Sequence, residues 1–143
     1  MTYVRIVIAL LSLIALLTGS MDVNVGVAGQ ANIGVGTAAS PPFDSFLDSQ
    51  VRFLGAVWLG LGAIQLICLR DLRRYGAILE TCYAIVVLGG VGRALSLAQA
   101  EHTPGGTGLS FIGFALFIEL ALVPSAWLVL RRIGFGQLAD ETT

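Results

Sequence analysis

The sequence predicts an all-α integral membrane protein, a four-transmembrane-helix bundle. Three observations carry that prediction. The chain is 56% hydrophobic and only 12% charged, where a soluble domain is about a quarter charged, so lipid must be the solvent for much of it. Four apolar runs, at about 2–20, 51–69, 77–97 and 109–130, are each long enough to cross a hydrocarbon core. The basic residues, all eight of them arginine, also sort by side. Arg5, then Arg70, Arg73 and Arg74, then Arg131 and Arg132 fall at one end of the four spans, while Asp22, Asp44, Asp48 and Glu101 fall at the other. The positive-inside rule therefore puts both termini in the cytoplasm of a multi-pass cell-membrane protein, with 21–50 as an extracytoplasmic loop. The length fits a single membrane domain over 1–143.

Composition also removes some function classes. A net charge of −1 gives a nucleic acid no electrostatic footprint. Cys68 and Cys82 form no CxxC and offer too few donors for a metal site, so they read as buried or lipid-facing free thiols.

The first run, Tyr3 to Leu17, has Arg5 near its start and two readings. A signal peptide would need a small-residue cleavage site, and Thr18-Gly19-Ser20 is followed by no clean Ala-x-Ala. A retained helix is favoured, because it completes a four-membered bundle with the other three spans. Beyond it, Val23, Val25 and Val27 alternate, then Ile33 and Val35, with a Gly-containing turn between. Period-two alternation around such a turn predicts a short β-hairpin, or a glycine-rich loop where glycine gives a strand little to pack. Pro41-Pro42 ends any regular element.

Residues 44–50 read as an amphipathic lead-in to the second span, capped by Asp44 or Ser45. That span carries Gly55, Ala56, Gly60, Gly62 and Ala63, small residues that let membrane helices approach closely. A basic turn, Arg70 to Gly76, leads to the third span, which has Glu80 near its start and Arg93 near its end. Glu80 is expected to snorkel to water or to meet Arg73 or Arg74. The connection 98–108 holds Glu101, His102 and Pro104. The fourth span is interrupted by Glu119 and Pro124, and a proline there is tolerated only where neighbours re-satisfy the backbone.

Arg52 and Arg93 break the charge rule, since both sit at the outer ends of spans where topology gives no reason for a cation. A charge within a span is expensive and usually paired or functional. Arg52 follows Asp48 by four residues, so a helical lead-in puts the two on one face. Arg93 shares its face with Gly89, Gly90 and Ser96 at 3.6 residues per turn. Glu119 is the obvious counter-charge, about 15 Å deep against about 6 Å for Arg93 at 1.5 Å per residue. Gln65 lies at comparable or greater depth. The candidate ligand-lining set is therefore Arg52, Arg93, Glu119, Gln65, Asp48 and Ser96, with Gly89, Gly90, Gly92 and Gly60 as helix-packing positions. An Arg93–Glu119 pair that merely pins two helices stays open as an alternative, and proton transport would need more titratable groups than the chain has. Glu119, Glu80, Asp48 and His102 are the candidate acids and bases of an enzyme, but they show no nucleophile–base arrangement, so no catalytic residue or reaction is assigned and the cofactor stays open.

Ser49-Gln50-Val51-Arg52-Phe53 and Gly89-Gly90-Val91-Gly92-Arg93-Ala94-Leu95-Ser96 resemble the two signature motifs of the DUF4345 family, small four-span membrane proteins of unknown function. The family motifs read approximately Asn-Glu-Phe-Arg-Phe and Gly-Gly-x-Gly-Arg-x-x-Ser, and the Pro104-Gly105 loop and Glu119 also look like the family pattern. The resemblance runs from about Leu47 onward. Ser49 and Gln50 depart from it by losing a carboxylate beside Arg52, and the stretch 22–40 looks longer and richer in glycine than usual. Two functions are carried forward. One is binding of a lipid, quinone-like or other anionic- or polar-headed ligand in an outer-leaflet cavity lined by Arg52, Arg93 and Glu119. The other is an accessory subunit that docks a larger membrane complex through residues 22–43.

Overall fold

The computed structural model describes residues 2–32, 44–99 and 106–140, and within the last helix the side chains of 108–132. Six α-helices run in chain order: α1 (Thr2–Val25), α2 (Val27–Asn32), α3 (Ser45–Cys68), α4 (Gly76–Gln99), α5 (Gly106–Phe117) and α6 (Val123–Asp140). A turn of π-helix, Ile118–Leu122, joins α5 to α6 without a break. Among the described residues, four stretches are long and apolar enough to cross a membrane: Thr2–Val25, Ser45–Cys68, Gly76–Gln99 and Gly108–Arg132. Long unbroken apolar runs leave the backbone in lipid no partner but itself, and the helix is the structure that supplies one.

The hairpin expected after the first span is not formed: no strand occurs among the described residues. Instead α1 runs about a turn past its expected end, and α2 follows directly. Val23 and Val27 alternate with Val25, but they are also four apart, a helical repeat. Gly26 decides the matter. It takes the left-handed conformation, φ +59°, and its N–H donates to the Asp22 carbonyl at 3.0 Å, which closes α1 as a glycine C-cap. Ile33, Val35 and the Pro104-Gly105 loop with His102 lie outside the described residues. The expected lead-in 44–50 is the first two turns of α3 itself, and Asp44 is its cap, accepting from the Phe46 N–H at 2.8 Å.

The helices pair. α1 and α3 run antiparallel and close together, with Gly19 against Gly55 and Leu59, and Gly62 against Ala15 and the Ser12 carbonyl. A β-carbon on Gly19 would stand 2.7 Å from the Gly55 carbonyl oxygen, so only glycine allows this approach. The Trp58 indole N–H donates across the same interface to Thr18 Oγ1 at 2.9 Å. α4 pairs with the continuous helix made by α5 and α6, where Gly90 lies against Glu119 and Leu120.

The two pairs meet through one core. It takes Val4, Val7, Ile8 and Leu11 from α1, Cys68 from α3, Leu79, Tyr83 and Val86 from α4, and Val123, Ala126 and Leu130 from α6. Leu72, in the turn between α3 and α4, plugs it from one end. Asp71 shapes that turn, its Oδ1 accepting from the Arg73 and Arg74 N–H groups at 3.1 Å each. Every member of this core belongs to the half of the bundle near that turn. Trp58, Val87, Ile118 and Leu122, partly buried, pack against this core.

Candidate functional site

Glu119 sits in the π-turn, and Pro124 explains why the turn is there. Proline has no N–H to give the Leu120 carbonyl and its ring crowds that oxygen. The helix widens for one turn, and the Val123 N–H bonds the Ile118 carbonyl five residues back. Glu119 is buried as a result, its Cβ packed where Gly90 leaves room: a β-carbon on Gly90 would lie 2.8 Å from it. Arg93 lies one turn beyond Gly90 on the same face. Its Nε donates to Glu119 Oε2 and its Nη2 to Oε1, both at 3.2 Å. This fork-to-fork pairing fixes orientation as well as charge. The pair is lopsided, with the Glu119 side chain 11% exposed and that of Arg93 40%. Nη1 stays outside the pair. On the same helix, Gly89 and Gly92 have no atom within 4 Å of where a β-carbon would stand, and Ser96 is exposed.

Arg52 and Asp48 do pair as their spacing requires, Nε to Oδ2 at 2.7 Å. What the spacing did not reveal is their common target. Arg52 Nη1 donates to the carbonyls of Val23 and Asn24 at 2.8 and 3.0 Å, and Asp48 Oδ1 accepts from the Val27 N–H at 3.0 Å. The cation thus covers orphan carbonyls at the end of α1, and the carboxylate covers an orphan N–H at the start of α2. One ion pair on α3 caps two helices at once. Gly26 sits against it so closely that any β-carbon there would collide with the Asp48 carboxylate.

Glu80 finds a different partner from those expected. Arg131, from α6, reaches Glu80 Oε2 through Nε at 3.2 Å and Nη2 at 3.0 Å, while its guanidinium lies 4.9 Å from the Trp127 ring centre. Arg73 and Arg74 instead stay in the turn that Asp71 organises, with Arg74 over Tyr75. α4 and the continuous α5–α6 helix are therefore joined by charge at two levels, Glu119 in the π-turn and Arg131 in α6.

The candidate set divides accordingly. The structure brings Arg93 to Glu119 and Arg52 to Asp48. Gln65 is fully buried, and neither of its amide atoms has a hydrogen-bond partner, so it is bonded to neither pair. Of the four glycines read as packing positions, Gly90 packs, whereas Gly60, Gly89 and Gly92 face open space within this chain. The close approaches are made by Gly19, Gly55 and Gly62. Ala15 and Gly19 stand four apart, and Gly55 and Gly62 seven apart, and this repeat on two helices was the readable signal. Among the described residues no group of three or more His, Cys, Asp or Glu side chains is placed to hold a metal.

Residues 3–130 match a family described as a domain of unknown function, DUF4345. The chain belongs to that family. The match begins at Tyr3, so the DUF4345 unit includes α1 and the α1–α3 interface and does not start near Leu47. No curated protein and no solved structure matches the chain.

Proposed function

We propose that this DUF4345 protein binds the polar head of an amphiphile, lipid-like or quinone-like, beside Arg93 and Glu119 at the outer-leaflet end of the bundle. Both termini are then cytoplasmic, as the arginines at Arg70 to Arg74 and at Arg131 and Arg132 favour. The observation that carries the reading is the lopsided pair itself. Arg93 is half-exposed on an apolar span, uses two of its three nitrogens on Glu119, and stands on a helix whose Gly89 and Gly92 face open space. Hydrocarbon offers an exposed guanidinium nothing, so the N–H groups that Glu119 does not take must reach a polar head or water. The charge balance narrows the head group. Arg93 is matched by Glu119 and Arg52 by Asp48, so the net charge of the two pairs is zero. A zwitterionic or neutral polar head fits that balance better than a bare anion. Arg52 acts at a distance, holding the end of α1 and the start of α2 in place. Ser96 is an exposed hydroxyl available to the same head group.

The test is the lipid content of gently solubilised protein, wild type against Arg93→Gln. Loss of a specific co-purifying amphiphile in the variant supports the proposal. Unchanged lipid together with unchanged stability overturns it.

The accessory-subunit reading has one observation in its favour, the open small faces at Gly60, Gly89 and Gly92, which suit a close-packing partner helix. The mass of the native solubilised particle separates the two. A monomer or small homo-oligomer counts against the subunit.

A further inference from the structure

Ser12 and Gln65 are both fully buried, and Ser12 Oγ, Gln65 Nε2 and Gln65 Oε1 have no hydrogen-bond partner. The two residues occupy one level of one interface. The Ser12 carbonyl stands 3.1 Å from the position of a β-carbon on Gly62, and Gln65 follows Gly62 by one turn on α3. Each also lies at the edge of the apolar core: Ser12 next to Leu11, and Gln65 one turn from Cys68. A buried amide left unmet costs on the order of 1–3 kcal/mol in protein interiors, and more than nine in ten buried polar groups in native proteins are met. Nothing about packing asks for the amide, because leucine or methionine would fill the same volume between two helices at no such cost.

We infer that the Gln65 amide and the Ser12 hydroxyl form a binding site for an uncharged hydroxyl group between α1 and α3. The chemistry of the two side chains sets the class. Gln65 presents two donors and an acceptor, and Ser12 one donor and an acceptor. Their complement must both donate and accept, which a hydroxyl does and a ketone or quinone carbonyl does not. It must be uncharged, because the neighbouring core of Ile8, Leu11, Cys68, Tyr83 and Val86 contains no charged side chain to balance an ion. Water and the alcohol head of a neutral lipid share that chemistry. The site is separate from the Arg93–Glu119 pair, to which Gln65 is not bonded, and does not depend on what that pair binds.

The experiment uses wild-type protein labelled with ¹⁵N-glutamine and reconstituted in bilayers. The chain has five glutamines, Gln30, Gln50, Gln65, Gln99 and Gln137, of which Gln65 alone follows an isoleucine, so adding ¹³C to the isoleucines and glutamines identifies its backbone and, through it, its side-chain amide in the wild-type protein. Proton-detected solid-state spectra should show a cross-peak from that amide to a non-protein hydroxyl. The hydroxyl proton of either source exchanges with solvent, so carbon-bound protons tell them apart. A hydroxyl cross-peak accompanied by none from carbon-bound protons of a non-protein molecule identifies water. Accompanying cross-peaks from the CH protons of an alcohol head, lost when the lipid is replaced by its carbon-deuterated form, identify the lipid's. Either result supports the site. Cross-peaks from the Gln65 amide to protein protons alone, showing that Ser12 or a backbone carbonyl satisfies it directly, overturn it.

Discussion

The two helix pairs of this bundle are held by different physics. Between α1 and α3 the glue is backbone proximity: Gly19, Gly55 and Gly62 bring the two backbones into contact, and the Asp48–Arg52 pair seals the end where α1 turns into α2. Between α4 and the continuous α5–α6 helix the glue is charge. Arg93–Glu119 and Glu80–Arg131 bracket the interface, Gly90 alone is tightly packed, and Gly89 and Gly92 face outward. In lipid, where no hydrophobic drive brings helices together, close packing and polar contacts are the two available means. This protein uses one for each pair. Along its glycines a packed pair offers a ligand only the small buried Ser12–Gln65 site, whereas a charge-linked pair keeps exposed donors that a larger head group can share. That contrast is why the proposed head-group site is put on the second pair.

The largest effect is expected from filling the first interface. A Gly19→Val substitution puts its β-carbon against the Gly55 carbonyl and the Leu59 N–H, at 2.7 and 2.8 Å. Both are backbone and cannot turn aside, so the cost should exceed the ~1–3 kcal/mol of ordinary overpacking. Thermal unfolding in detergent should show loss of a cooperative transition. A Tm unchanged from wild type would mean that α1 and α3 are not held by proximity.

Breaking the second interface should cost less. Replacing Arg93 with alanine leaves Glu119 buried without its counter-charge. A wholly buried pair broken this way costs 3–5 kcal/mol, and the exposure of Arg93 reduces the expected loss to ~2 kcal/mol. The double variant Arg93→Met with Glu119→Leu should be more stable than Arg93→Ala alone, because the stranded charge is gone. Equal damage in both would argue that shape, not charge, joins these helices. At the other end of the same interface, Arg131→Ala should cost under about 1 kcal/mol, since the Glu80 pair is exposed and the Trp127 contact adds only a small cation–π term. A larger loss there would move the weight of the interface to its Glu80 end.

The two pairs were not equally legible in the sequence. Spans could be read because twenty apolar residues in lipid have only one backbone solution, and the Arg93–Glu119 pair could be read because an intramembrane charge demands a partner. Both are statements about cost that need no geometry. The α1–α2 corner was misread because three valines fit a two-residue and a four-residue repeat equally, and the caps that decide between them come from Asp48 and Arg52, more than twenty residues away. Which glycines pack depends on how each helix is rotated. A membrane helix that is apolar on every side carries little amphipathic signal to say so, and Gly60, Gly89 and Gly92 were indistinguishable by eye from Gly55, Gly62 and Gly90.

The smallest effect bears directly on the contrast between the pairs. Alanine at Gly89 or Gly92 meets no atom within 4 Å, and alanine exceeds glycine in helix propensity by up to ~1 kcal/mol. Within the isolated chain both variants should therefore be as stable as wild type or slightly more so, the opposite of Gly19→Val. Their amphiphile content is the sharper measurement. If Gly89→Ala and Gly92→Ala keep or raise Tm yet lose a bound amphiphile that wild type retains, the open surface at Gly89 and Gly92 is in use, because stability alone gives no reason for glycine there. If they keep both stability and amphiphile, the glycines are neutral on that face, and Arg93 must meet its ligand from the Ser96 side or serve Glu119 only.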